Sequence, residues 1–272
     1  MNLPTKILLF FVIIYHSNAF FVFESGKNYL FHYKSDTSGT KNWMTLNQTI
    51  ESDVEIRKIH NDTLLVQLKN VKILDEINKP TSDEIAEMSN PFFVVLNDTN
   101  SFKKFLTKDK TFVYCLKIQY RVVETLLSDM SRFTKLAKME ETKTVNVENM
   151  AFGSCLARLK VVQGKNETKI GVKAEYKDCQ DDGKVNLGQI FDLSPNSTTA
   201  AIVTVTKKSK VRKFNTLSDM MTYNMGGMHL KIRAAMTYKG KNLVETDSFE
   251  RFEDFSTIYT KEELEGFVKR ID

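Results

Sequence analysis

Hydrophobic and polar positions alternate from the first residues of the segment Gly26 to Asp36. Tyr29, Phe31 and Tyr33 fall on one side, and Asn28, Leu30, His32 and Lys34 on the other. A period of two predicts a strand over Phe20–Lys34 with three rings on one face. Two more strands are predicted at Val54–Ile59 and Leu64–Leu74, joined by the polar His60-Asn61-Asp62-Thr63. In the second of these, Leu64, Val66 and Leu68 form a dry face against the mixed Leu65, Gln67 and Lys69. Lys79-Pro80-Thr81-Ser82 breaks the pattern, and Pro91 precedes a further strand at Phe92–Leu96. The polar residues 97–101 read as a turn before a short strand of sequence FKKFL.

The period changes once. Between Tyr114 and Met130, Lys117, Arg121, Glu124 and Ser128 recur every three or four residues as a narrow polar stripe. Leu116, Ile118, Tyr120, Val122, Val123, Leu126, Leu127 and Met130 cover the rest of the circumference. A helix that is apolar over so wide an arc has to be covered on more than one side, so an enclosed helix is expected. Strand patterns then return at Thr142–Val147, Ser154–Val162, Thr168–Tyr176, Thr199–Lys207, Met228–Tyr238 and Asn242–Arg251. Their separators, Gly164-Lys165-Asn166, Asp181-Asp182-Gly183, Pro195-Asn196-Ser197 and Lys239-Gly240-Lys241, are rich in residues that tolerate turns. Lys261–Asp272 reads as a short terminal helix, acidic early and basic late. Many strands at short spacing around one enclosed helix predict a mainly β fold, an antiparallel β-barrel closed or nearly closed on that helix.

The first 19 residues change the compartment. Lys6, the apolar run Ile7–Tyr15 and the small residues Ser17-Asn18-Ala19 have the order of a secretory signal peptide. The run is shorter than the roughly 20 residues a bilayer requires. Residues 20–272 are therefore expected to form a single secreted, extracellular domain that does not span a membrane. Five sequons agree with that route, at Asn47, Asn61, Asn97, Asn166 and Asn196. Three cysteines, Cys115, Cys155 and Cys179, leave either one disulfide with a free thiol or an intermolecular bond. The formal charge of +5 over 272 residues is mild and does not argue for nucleic acid.

Residues that carry chemistry are few. His32, His60 and His229 stand apart, with no helical spacing between them that would suggest a metal site. Neither a Gly-rich phosphate loop, a Gly-x-Ser-x-Gly elbow nor a His-Glu-x-x-His motif occurs, and Asp181-Asp182-Gly183 lacks the later ligands of a calcium loop. Cys115, at the start of the helix, reads as a small buried hydrophobe. The chain is thus read as non-enzymatic and without a cofactor. Its sharpest charge feature is KKSKVRK, which brings Lys207, Lys208, Lys210, Arg212 and Lys213 together as a candidate surface for an acidic partner or anionic headgroups. The aromatics at Phe20–Phe23 and Phe249–Phe255 read as core, with the rim of an apolar opening as the alternative.

Several of these stretches resemble one family. The opening FESGKNYLFHY is similar to the first strand of the vitellogenin N-terminal domain, and the likeness continues through LLVQL, FFVVL and the helix containing VVETLL. It is strongest at MEETKTVNVENMAFGSCLARLKVV, followed by EYKDC. The family comprises the large lipid transfer proteins: vitellogenin, apolipoprotein B and the microsomal triglyceride transfer protein. The resemblance implies a disulfide between Cys155 and Cys179, an antiparallel barrel around a lone helix, and contacts with a receptor or lipoprotein partner, with lipid as the inherited context. The chain ends about where the family's helical arch would begin, and no cysteine follows Cys179. A stand-alone short form is therefore expected. Its alternative is a secreted effector, such as a venom component, that has lost lipid carriage.

Overall fold

The computed structural model describes residues 23–41, 44–60, 62–75, 79–96, 102–107, 111–136, 143–149, 153–180, 194–208, 211–225, 228–243 and 257–260. The fold is mainly antiparallel β. Strands β1 (Lys27–Lys41), β2 (Met44–His60) and β3 (Thr63–Asp75) open the chain. Helix α1 (Ser82–Met88) leads to β4 (Phe92–Leu96) and β5 (Phe102–Thr107), and then to the long helix α2 (Val113–Leu136). After α2 come β6 (Lys143–Asn149), β7 (Gly153–Gln163), β8 (Glu167–Glu175), a 3-10 turn (Tyr176–Asp178) and the two-residue β9 (Cys179–Gln180). The described chain closes with β10 (Thr198–Lys208), β11 (Val211–Met225), β12 (Met228–Leu243) and β13 (Thr257–Thr260).

These strands form one sheet in the order β13-β5-β4-β3-β2-β1-β12-β11-β10-β8-β7-β6, with β9 paired to β7. The first strand sits in the middle, hydrogen-bonded to β2 on one side and to β12 on the other. Tyr29, Phe31 and Tyr33 are all buried on its inner face, as the alternation predicts. Each such ring removes enough apolar surface from water to contribute roughly 1.5–3 kcal/mol. Phe31 tilts against Tyr238 with ring centroids 5.5 Å apart, and Phe23 meets Tyr29 edge-on at 5.2 Å. Phe92 and Phe105 stack at 4.3 Å across β4 and β5. All these rings belong to a continuous core with Leu64, Val66 and Leu68 of β3, and with Ala157, Leu159, Ile170 and Val172 of β7 and β8.

Helix α2 contributes Cys115, Leu116, Ile118, Tyr120, Val122 and Val123 to the same core. Its stripe residues Lys117 and Arg121 are half-buried. The helix packs against β5 and also against β11 and β12. Those strands are five or six places apart in the sheet. A flat sheet would separate them by about 25 Å at 4.8 Å per strand, more than twice the diameter of a helix. The sheet must therefore curl for one helix to reach both.

Several expectations need correction. The curled sheet is not a closed barrel: among the described residues its path ends at β13 and β6, and no ladder joins these edges. A helix about 10 Å across seated between β5 and β11–β12 keeps the walls of the trough apart. Second, Lys79-Pro80-Thr81-Ser82 is not merely a break but the start of α1. Thr81 accepts from the Glu84 backbone N–H at 3.2 Å, and the Glu84 carboxylate accepts from the Thr81 backbone N–H at 2.8 Å. Third, Lys239-Gly240-Lys241 does not turn the chain. It lies within β12, where Leu30 pairs with Gly240 but Phe31 pairs with Tyr238, so the extra residue becomes a bulge. The first strand also begins at Lys27 rather than Phe20, and β11, β13 and β9 have no counterpart in the pattern reading. Residues 1–22, 97–101, 181–193, 244–256 and 261–272, which hold the signal, two predicted turns, most of the predicted Asn242–Arg251 strand and the terminal helix, lie outside the described residues.

Candidate functional site

The basic run occupies the β10–β11 hairpin. The register sets Lys207 directly opposite Arg212, Lys208 opposite Val211, and Thr206 opposite Lys213. The hairpin thus brings the two halves of the run together by backbone pairing. Lys210, with Ser209, lies outside the described residues. Thr206 also pairs with Glu167 of β8, so the hairpin lies at the end of the sheet that carries the Gly164-Lys165-Asn166 turn. That turn is closed by the Gly164 N–H donating to the Glu167 carbonyl at 2.7 Å.

Beside the hairpin lies a feature that reading the sequence in runs does not disclose. The inner positions of β7 and β8 are apolar or small and buried, so their outer positions share one exposed face. On β7 these are Leu156, Arg158, Lys160 and Val162; on β8 they are Glu167, Lys169, Gly171, Lys173 and Glu175. Arg158 stands opposite Lys173, Lys160 opposite Gly171, and Val162 opposite Lys169. The pairing of β8 with β10 extends the second row to Ile202. Leu156, Val162 and Ile202 are 52%, 47% and 47% exposed. Glu167 pairs with Lys169 at 3.1 Å, and Glu175 bridges Lys173 at 3.2 Å and Lys177 at 2.8 Å. Hydrogen bonds from Lys177 and Lys173 hold the Glu175 carboxyl down at about 2. The signal was present in the sequence as alternation, since β7 and β8 place a cation at every second or fourth position, but only the register shows that the rows align.

The other predicted positions sort clearly. The Cys155 and Cys179 sulfurs are 2.10 Å apart in a disulfide that ties β9 to β7, where the two residues are direct cross-strand partners. Cys115 is buried and free; its thiol contacts the Glu84 carbonyl at 3.4 Å. Burial, helped by the charges of Glu87 and Glu84, pushes that thiol up to about 12, which leaves it protonated and a poor nucleophile. His32 Nδ1 lies 3.1 Å from Asp53 Oδ1, and His60 and His229 are exposed. Among the described residues, no three of His, Cys, Asp and Glu gather where a metal ion could bind. Asn47, Asn166 and Asn196 are exposed, whereas Asn61 and Asn97 lie outside the described residues. Phe23 is buried core; Phe20, Phe21 and residues 249–255 fall outside the description. No helix among the described residues is long and apolar enough to cross a membrane.

No family model matches the chain, and no curated protein matches it. Among solved structures, it is similar to one of lipid–protein interactions in lipovitellin, with a TM-score of 0.59 over 84% of this chain. The fold is lipovitellin-like. Identity is 13%, so the likeness is one of fold, and the chain spans 27% of the lipovitellin chain. A de novo designed transmembrane β-barrel (TM-score 0.17, 6% identity, 79% of this chain and 98% of that one) carries no argument. Nor does the Yersinia pestis attachment protein Ail (0.19, 4%, 80% and 100%).

Proposed function

We propose that this chain is a secreted, glycosylated, non-enzymatic module of the vitellogenin N-terminal type, acting by surface recognition of a protein receptor or lipoprotein partner. The observation that carries this reading is the lipovitellin-like fold with the apolar flank of α2 packed into the core of the sheet. Buried side chains of β1, β3, β7, β8 and α2 share one core, which favours the outside of the sheet as the working surface. The five sequons, the signal-like first 19 residues and the disulfide support an extracellular site of action. The β10–β11 hairpin, with cations facing one another across the ladder, is the partner contact. Like charges at opposed positions favour a polyanionic or acidic ligand that relieves them.

The test is heparin affinity of the secreted chain, with Lys207→Glu, Lys208→Glu and Lys210→Glu combined. Elution is expected at clearly lower salt, because three cations become anions on a site whose attraction is screened over about 10 Å at 0.1 M salt. Unchanged elution would remove the hairpin from the contact.

A further inference from the structure

We infer that the outer face of β7, β8 and β10, next to the hairpin, is a second site, one that docks on an anionic phospholipid surface. This deepens the preceding reading by giving the lipoprotein-type partner a chemistry, and it rests on that reading only for the extracellular setting. The inference itself comes from the grid of exposed positions. Three rows cross the strands: Arg158–Lys173–Ala200, Lys160–Gly171–Ile202 and Val162–Lys169–Thr204, with Leu156 beyond Arg158 on β7. Neighbours are about 4.8 Å apart across the strands and about 6.7 Å along them.

Two properties of this grid select a lipid surface. First, its charge is net positive. Glu175 is taken up by Lys173 and Lys177, and Glu167 by Lys169, while Arg158 and Lys160 have no carboxylate partner among the described residues. Arg158 stands opposite Lys173, whose charge Glu175 already meets, so Arg158 and Lys160 are the cations left for an outside anion. Second, the cations are interleaved with exposed aliphatics at Leu156, Val162 and Ile202. Exposed aliphatics beside cations can enter the headgroup–acyl boundary while the cations hold the headgroups. Gly171 at the centre carries no side chain, so Lys160 and Ile202 on either side of it border a low spot in the face. An acidic protein segment would satisfy the cations but leave the aliphatics in water.

The experiment is co-sedimentation of the whole secreted chain with phosphatidylcholine vesicles, with and without phosphatidylserine. Binding is expected only with phosphatidylserine, and Arg158→Gln, Lys160→Gln and Lys173→Gln together should weaken partitioning at least about tenfold, since each basic residue near an anionic bilayer contributes to attraction. Val162→Thr with Ile202→Thr keeps β-branched residues in the strands and guards against misfolding as the cause. It should also weaken binding, and by the same factor at low and high salt. The hairpin charge reversal should leave vesicle binding in place. The inference is overturned if the face variants bind vesicles like the parent, or if the threonine pair has no effect while soluble polyglutamate displaces the protein, which would mark an acidic-protein site. Loss of vesicle binding in the hairpin variant alone would also overturn it, while leaving the hairpin reading intact.

Discussion

Asn70 decides which side chains of β3 face the core. Leu64, Val66 and Leu68 point inward, and strict alternation would send Asn70, Lys72 and Leu74 after them. Instead Asn70 takes φ 53°, and the register with β2 slips between Glu51–Lys72 and Asp53–Lys69. The bulge shifts the phase by one residue, so Val71 and Ile73 pack on the core while Leu74 is left 73% exposed. Two side chains fasten it. Buried Ser52 donates to the Lys69 carbonyl at 3.0 Å, and Asn70 donates to Asp53 at 2.8 Å. That bond, followed by the one from His32, holds the Asp53 carboxyl below its usual range. Asn tolerates the left-handed region better than most residues, and Gly best. Asn70→Ala should therefore cost about 1–2 kcal/mol in urea unfolding, and Asn70→Gly clearly less. An alanine variant as stable as the glycine one would mean that the bulge conformation carries no strain.

The elements differ in how openly the sequence announces them. β4 is read to the residue, because Pro91 marks its start and FFVVL is buried throughout. The core of α2 is equally legible: its polar stripe at Lys117, Arg121, Glu124 and Ser128 recurs every three or four residues, and Leu116, Ile118, Tyr120, Val122 and Val123 between those positions are all buried. Helix α1 is hidden by its length, since seven residues make too short a period, yet Thr81 and Glu84 spell a capping box. Thr81→Ala removes the cap and should lower stability by about 1 kcal/mol, with Thr81→Ser recovering most of it. Equal unfolding midpoints for all three would show that α1 is held by packing alone. β11 has no clear alternation, and its pairing with β10 and β12, set by the register, defines it. The same reason limits the site. The KKSKVRK run is visible because its cations are adjacent in sequence, whereas Arg158 and Lys173 become neighbours only once β7 and β8 are paired.

For the whole molecule, the decisive relation lies between the sheet and α2. The chain's first strand is paired with β12 some 200 residues later, and this long-range pairing brings β11 and β12 over the helix while β5 reaches it from the other arm. Most strands are predictable from local pattern; the curl is not, because it follows from how many strands must share one helix. Among the described residues the sheet path stays open between β13 and β6. If α2 is the apolar filling of this trough, its amides open only when the sheet does. Hydrogen exchange over Cys115–Val123 in the intact secreted chain measures this most directly. Protection there should match that of β1 and approach the stability of the whole fold; exchange as fast as at frayed chain ends would contradict a helix-filled sheet and the surface-based function built upon it.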